Sequence, residues 1–282
     1  PRTRVGCDTI LHPSIQPMMS FQSTHPCGVR HNLAKITGSS GTELPFIAER
    51  LSSERAYQKV MRRLIVSIKQ AVIDDVLPIY RLYIADGVTD LLGRFTAKVK
   101  QAADSAINWV TGFVHSETDW HTDKFAQSVK AATGADVKTI VHIANMDDIK
   151  TAMIERNASL ITNLADDTRQ KIVQAVINAS VNKKSMGELK ADIEQILGTQ
   201  AARADLIAQD QTIKLVADLN RYRQEQAGIK RYRWVSKQDD RVRPLHQRLN
   251  GKIYEWGKPT GAEHGLPPGQ PIRCRCRAKA VI

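Results

Sequence analysis

Two cysteines set two residues apart, with a histidine upstream, are the side chains of this 282-residue chain best typed for chemistry. The run 272–282 alternates as a strand does, which puts Ile272, Cys274, Cys276 and Ala278 on one face and Arg273, Arg275, Arg277 and Lys279 on the other. Residues two apart in a strand have side-chain origins roughly 7 Å apart, so both thiols could converge on one zinc ion. His246 is the leading third ligand, and Asp240 or His264 the candidate fourth, since zinc accepts S, N and O donors. The competing reading packs both cysteines as small hydrophobes beside Ile272. Asp239, Asp240, His246 and the thiols would also compose a metallohydrolase centre, with a metal-activated water and a carboxylate base. The chain has no H-E-x-x-H, no P-loop and no nucleophile elbow, so a structural role is the stronger expectation than catalysis. Zinc is the one candidate cofactor.

Phosphate binding is the second chemistry on offer. The net charge is +12, and residues 230–282 hold 13 Lys and Arg against 4 Asp and Glu, so about +9 sits in that stretch. Arg231, Arg233, Arg273, Arg275 and Arg277 are expected to project from one sheet face, with Arg241, Arg243 and Lys279 completing a cationic set. Such a stripe suits DNA phosphates, with binding that weakens steeply in salt, or else an acidic protein surface. No DNA-reading motif is present, so no sequence-specific readout is expected. Near the other end Cys7, His12, His25, Cys27 and His31 crowd together, but their spacings fit no standard metal site.

The elements that must position these residues read as α+β: a mostly helical first two-thirds with long helices, then a small antiparallel sheet. Residues 1–45 read as an extended arm, 46–144 as a helical domain, and 145–282 as a module of helices (145–227) feeding a basic sheet (228–282). Apolar residues at three- and four-residue steps mark a helix over 46–84, including Leu51, Val60, Leu64, Ile65, Ile68, Val72 and Val76, which Pro78 kinks or stops. Further helices are expected over 88–115 and 120–132, and a short one capped by Asp136 that carries Val137, Ile140, Val141, His142 and Ile143. Asp147-Asp148 opens another. Ser185-Met186-Gly187-Glu188 is a capping box for a helix stopped by Gly198, after which Thr199 caps a last helix ended by Gly228. Tyr232, Trp234 and Ser236 alternate as a strand, and Asn250-Gly251 signals a tight hairpin turn into 252–256. No apolar run approaches 18 residues, so no membrane span is expected, and four scattered cysteines suit a reducing cytosol.

The pattern W…D-x-R-V-R-P-x-H-x-x-L-N-G, here Trp234 to Gly251, followed by P-P-G (Pro267-Pro268-Gly269) and C-R-C (Cys274-Arg275-Cys276), resembles the C-terminal module of phage Mu F-like head morphogenesis proteins. Upstream, Arg203-Ala204-Asp205-Leu206-Ile207-Ala208-Gln209-Asp210 is similar to the family's R-A-x-x-I-A-x-x-E segment, with Asp210 at the acidic position, and Gly228 falls where the family places a glycine. The likeness covers 173–282. It implies a minor head protein of a tailed bacteriophage, acting in assembly at the capsid interior near the portal after synthesis in the host cytoplasm. The implied partners are the portal protein, other head proteins and packaged double-stranded DNA. The alternative it leaves is a metal-dependent DNA-processing or delivered effector enzyme built on the same module.

Overall fold

The computed structural model describes residues 41–80, 88–136 and 146–282, and the following concerns those residues. The arm before residue 41, the clustered Cys7, His12, His25, Cys27 and His31, and the helix expected from Val137 to Ile143 lie outside them. The described chain runs α1 (Leu51–Ala71), a π turn (Val72–Val76), α2 (Leu77–Tyr80), α3 (Val88–Thr133), α4 (Asp147–Val181), α5 (Met186–Gln226), β1 (Arg231–Val235), α6 (Pro244–Leu249), β2 (Ile253–Glu255) and β3 (Arg277–Val281). Long helices followed by a small antiparallel sheet bear out the α+β reading.

Apolar stripes explain the bundle. Tyr57, Val60, Met61, Leu64, Ile65 and Ile68 line the buried face of α1, while Leu51, at its first residue, is exposed. One continuous cluster joins them to Phe95, Val99 and Val110 of α3, Met153, Ile161 and Leu164 of α4, and Leu189, Ala204 and Leu215 of α5. It therefore includes residues on both sides of the boundary expected near 144. The widened π turn sits directly before Pro78, whose missing N–H could not have bonded the preceding turn in any case.

Two helices are longer than expected. The segments 88–115 and 120–132 are one helix of 46 residues. The apolar stripe lapses between them because the inward face turns polar: Glu117, Thr118, His121 and Thr122 are buried. Several groups of that layer are paired across the bundle. Arg50 and Ser53 bind Glu117 (Ser53 Oγ at 2.7 Å), Arg223 donates to Thr122 Oγ1 at 2.7 Å, and Thr118 donates to the Val114 carbonyl at 2.7 Å. Likewise α5 passes through Gly198 without stopping. Thr199 is no cap there; its hydroxyl donates back to the Gln195 carbonyl. Leu197 and Ala204 on either side are packed into the core, and that packing outweighs the roughly 1 kcal/mol cost of a helical glycine.

Both ends of α5 follow local rules. Ser185 and Glu188 form the expected capping box, and Gly228 (φ 75) closes the helix, with Gly228 and Ile229 N–H bonding the Glu225 and Gln224 carbonyls at 3.0 and 2.9 Å. The sheet follows in the order β2-β1-β3, all antiparallel. Tyr232, Trp234, Ala278 and Ala280 share its buried face. Residues 41–44 lie along the outer edge of β3, where Gly41 N–H bonds the Ile282 carbonyl at 2.6 Å and Leu44 N–H the Ala280 carbonyl at 3.1 Å. Leu44 and Ile47 then join Phe125, Val129, Ile229, Ala280 and Ile282 in a second cluster that ties sheet to bundle.

The sheet also corrects two readings. Asn250-Gly251 does not make a two-residue hairpin: it ends α6, and the β1–β2 connection is the whole of 236–252. β3 begins at Arg277, not at 272, because a turn closed by Cys274 N–H on the Pro271 carbonyl (2.9 Å) puts Arg273 at φ 59 and leaves Ile272 exposed.

Burial, reinforced by the nearby Arg223 charge, holds the His121 imidazole down to about 3 from an ordinary 6.5. Unfolding then takes up a proton below pH 6.5, so this group's stabilisation is full above that pH and shrinks as pH falls toward 3. Urea titrations at pH 7.5 and 5 should show the wild type losing about 2 kcal/mol that His121→Gln does not lose. Equal losses in both proteins would refute the assignment.

Candidate functional site

Pro244 occupies the first turn of α6, where a missing N–H costs nothing, and it starts a helix of six residues. Two residues on, His246 faces inward and is only 2% exposed. Its Nε2 lies 2.7 Å from Glu263 Oε2, at the head of the 3₁₀ turn Glu263–Gly265. A carboxylate accepts only, so Nε2 carries a proton, and in the neutral imidazole Nδ1 then keeps its lone pair. That lone pair points at the thiols: Nδ1 is 3.5 Å from Cys274 Sγ and 3.6 Å from Cys276 Sγ. The three ligand atoms all lie within 4.8 Å of one another and are buried. Trp234 stands edge-on to the imidazole at 5.3 Å, and with Leu249, Ala262 and the two sulfurs it forms a small apolar cluster. The cysteines thus pack as hydrophobes and face a common ligand point at once.

The loop that delivers the thiols is held by α5. Gly269, in the left-handed region at φ 87, comes so close to the helix that a Cβ there would sit 2.6 Å from Ala217 Cβ. Its N–H points back at Cys274 Sγ, 3.4 Å away. Asp210 Oδ1 accepts the Arg273 N–H at 2.6 Å, fixing the left-handed residue before Cys274. Asp218 binds Gln270 and also Arg156, the latter at 3.0 Å. Hydrogen bonds from the Cys276 thiol and from the Gly269 N–H hold Cys274 well below the usual thiol range, while the same partnership and burial push Cys276 up.

Of the five residues expected as ligands, the structure brings together His246, Cys274 and Cys276. Asp240 is exposed on the 236–243 loop and His264 is exposed at φ 53; neither joins the group. Both were chosen on donor type, and the fold points them elsewhere. Glu263, Asp210 and Gly269 are the participants that residue typing missed, although Asp210 and Gly269 stood inside recognisable motifs. No carboxylate among the described residues joins the sulfurs as a base, and Asp239 is taken by Arg275 at 2.5 and 2.6 Å.

The cationic set is distributed differently from the expected five-arginine face. Arg231, Arg233, Arg277 and Lys279 share the sheet face opposite Tyr232 and Trp234, but Arg273 and Arg275 precede the strand. Arg233 and Lys279 both hold Glu43 (2.5 and 2.7 Å), Arg277 holds Glu49, Arg275 holds Asp239, and Arg243 holds Glu263 at 3.2 Å. Arg231, Arg241 and Arg273 are exposed.

Residues 166–279 match the family model described as phage Mu protein F like protein. That span takes in the end of α4, all of α5 and every residue of the His246 site. A Haemophilus influenzae protein described as an uncharacterized protein is 32% identical over 173 residues, which is 61% of this chain and 38% of the relative. The chain thus spans well under half the length of that relative. No solved structure matches it.

The Gly269 approach makes a clean prediction. Gly269→Ala should cost about 1–3 kcal/mol in urea unfolding from overpacking against Ala217. Gly257→Ala, which meets nothing within 4 Å and has a similar φ of 79, should cost less. Equal costs would mean the contact with α5 carries no weight.

Proposed function

We propose that this chain, through its phage Mu F-like module at residues 166–279, is a minor head protein that works in head assembly of a tailed bacteriophage, at the portal-proximal inside of the capsid. The match over that span is the observation that carries the reading: it supports phage head morphogenesis, a place in the virion and other head proteins as partners. Contact with the portal from the capsid interior is what the module's resemblance to head morphogenesis proteins implies.

Protein contact is favoured over DNA by the pairing of the basic residues. Five of the eight candidate phosphate-binding side chains already hold a carboxylate, so phosphate would have to displace it. On the bundle, Val66 of α1 and Val181 of α4 are apolar side chains exposed at 63% and 75%. Among the described residues no helix is long and apolar enough to cross a membrane.

Co-sedimentation with portal assemblies of the same phage and with linear double-stranded DNA, across a salt series, tests this. The expected result is portal binding that persists at high salt and DNA retention that disappears well below it. Retention on DNA with no portal binding at any salt would overturn the proposal and favour a DNA-directed role.

A further inference from the structure

We infer that His246, Cys274 and Cys276 bind one zinc ion, with Glu263 orienting the histidine. Three observations converge on it. First, the separations suit the metal. Zinc bonds of about 2.05 Å to nitrogen and 2.3 Å to sulfur at a tetrahedral angle put N and S about 3.6 Å apart. Nδ1 lies 3.5 and 3.6 Å from the two sulfurs.

Second, both sulfurs converge on one ring nitrogen. Nδ1 has one lone pair, yet two thiols stand at the same distance from it. A thiol proton can satisfy one of those approaches; a metal at the shared point satisfies both. Third, the surroundings are those of a ligand set. Glu263 accepts a hydrogen bond from Nε2–H, which fixes the tautomer and raises the basicity of Nδ1, and Arg243 steadies Glu263 in turn at 3.2 Å. The Gly269 N–H aimed at Cys274 Sγ stabilises a thiolate there. Two thiolates and an imidazole are soft, nitrogen-and-sulfur donors, which select zinc over magnesium or calcium. Three protein ligands leave the fourth position to water.

The zinc would act as a structural clasp. It joins α6, the loop 267–276 and, through Glu263, the 3₁₀ turn, three pieces whose shared apolar cluster is small. This inference stands apart from the assembly role: a head protein could lack the metal, and a zinc clasp could serve another function.

The test uses the full chain purified from zinc-supplemented medium. Elemental analysis should give one zinc per chain after dialysis, and chelation should expose two thiols to a thiol reagent and lower Tm, both reversed by adding zinc. Cobalt in place of zinc should show a thiolate charge-transfer band. Cys274→Ser should lose the metal; because that variant could also misfold, Glu263→Gln serves as the milder change, expected to weaken zinc affinity 10- to 100-fold with the fold retained. A wild-type chain without zinc that takes none up, or whose thiols react equally with and without it, overturns the inference. So does a Cys274–Cys276 disulfide as the stable form, or an unaltered zinc affinity in Glu263→Gln.

Discussion

The C-terminal module depends on how one face of α5 receives the loop 267–276. Asp210, Ile213, Ala217 and Asp218 recur at helical spacing, so they stand on one stripe of the helix. Asp210 takes a backbone N–H of the loop, Ile213 and Ala217 close over Gly269, and Asp218 takes the Gln270 side chain. Polar clamps at both ends and a glycine contact between them leave the loop little choice of path. The consequence is chemical: the loop's two thiols arrive facing His246, which a different short helix presents from the other side. The acidic stripe residue is buried at real electrostatic cost, since desolvation raises the Asp218 carboxyl, and the paired Arg156 and Gln270 offset it.

A similar logic runs through the bundle. Its core is aliphatic along most of α1, α3, α4 and α5, but the stretch of α3 around Glu117 to Thr122 is buried and polar, facing Arg50, Ser53 and Arg223. Such a layer contributes little net stability when satisfied and costs much when broken, so it fixes which helix faces meet more than how tightly they hold. Nearby, Asn220 donates to the Ile47 carbonyl at 3.0 Å, carrying the arrangement out to the segment that leads into β3's edge.

What was legible in the sequence followed the range of the interaction. The capping box at Ser185 and the glycine stop at Gly228 are settled within a turn, and both formed as read. Gly198 and the polar run after His115 read as breaks because the forces that carry the helices through them are tertiary. Asn250-Gly251 signalled a hairpin because that dipeptide serves any turn with a positive φ, and here it serves the end of α6. The thiol pair and His246 survived an incorrect strand start, since both cysteines turn to the same side even though the chain is not yet a strand there. Glu263 could not be read ahead. It lies 17 residues from His246, across a loop with no periodic pattern, and its role exists only once the 3₁₀ turn is folded against α6.

The charge pattern shows why a count along the sequence misleads. The last 53 residues carry about +9, yet part of that charge is answered by Glu43 and Glu49, which precede every helix among the described residues. These pairs are partly exposed, and each is worth about 0–1 kcal/mol, too little to hold a segment in place. The holding comes from Leu44 and Ile47, nearly fully buried against Phe125, Val129 and Ile229, with the backbone of 41–44 paired to β3. Apolar burial places the segment, and the carboxylates, once placed, cancel charge that would otherwise repel across the sheet face. Since Glu43 and Glu49 lie before the family-matched span 166–279, the neutralisation is supplied by the part of the chain outside it. The module's surface charge is therefore a property of the whole described fold, and any partner of that face meets arginines and glutamates together.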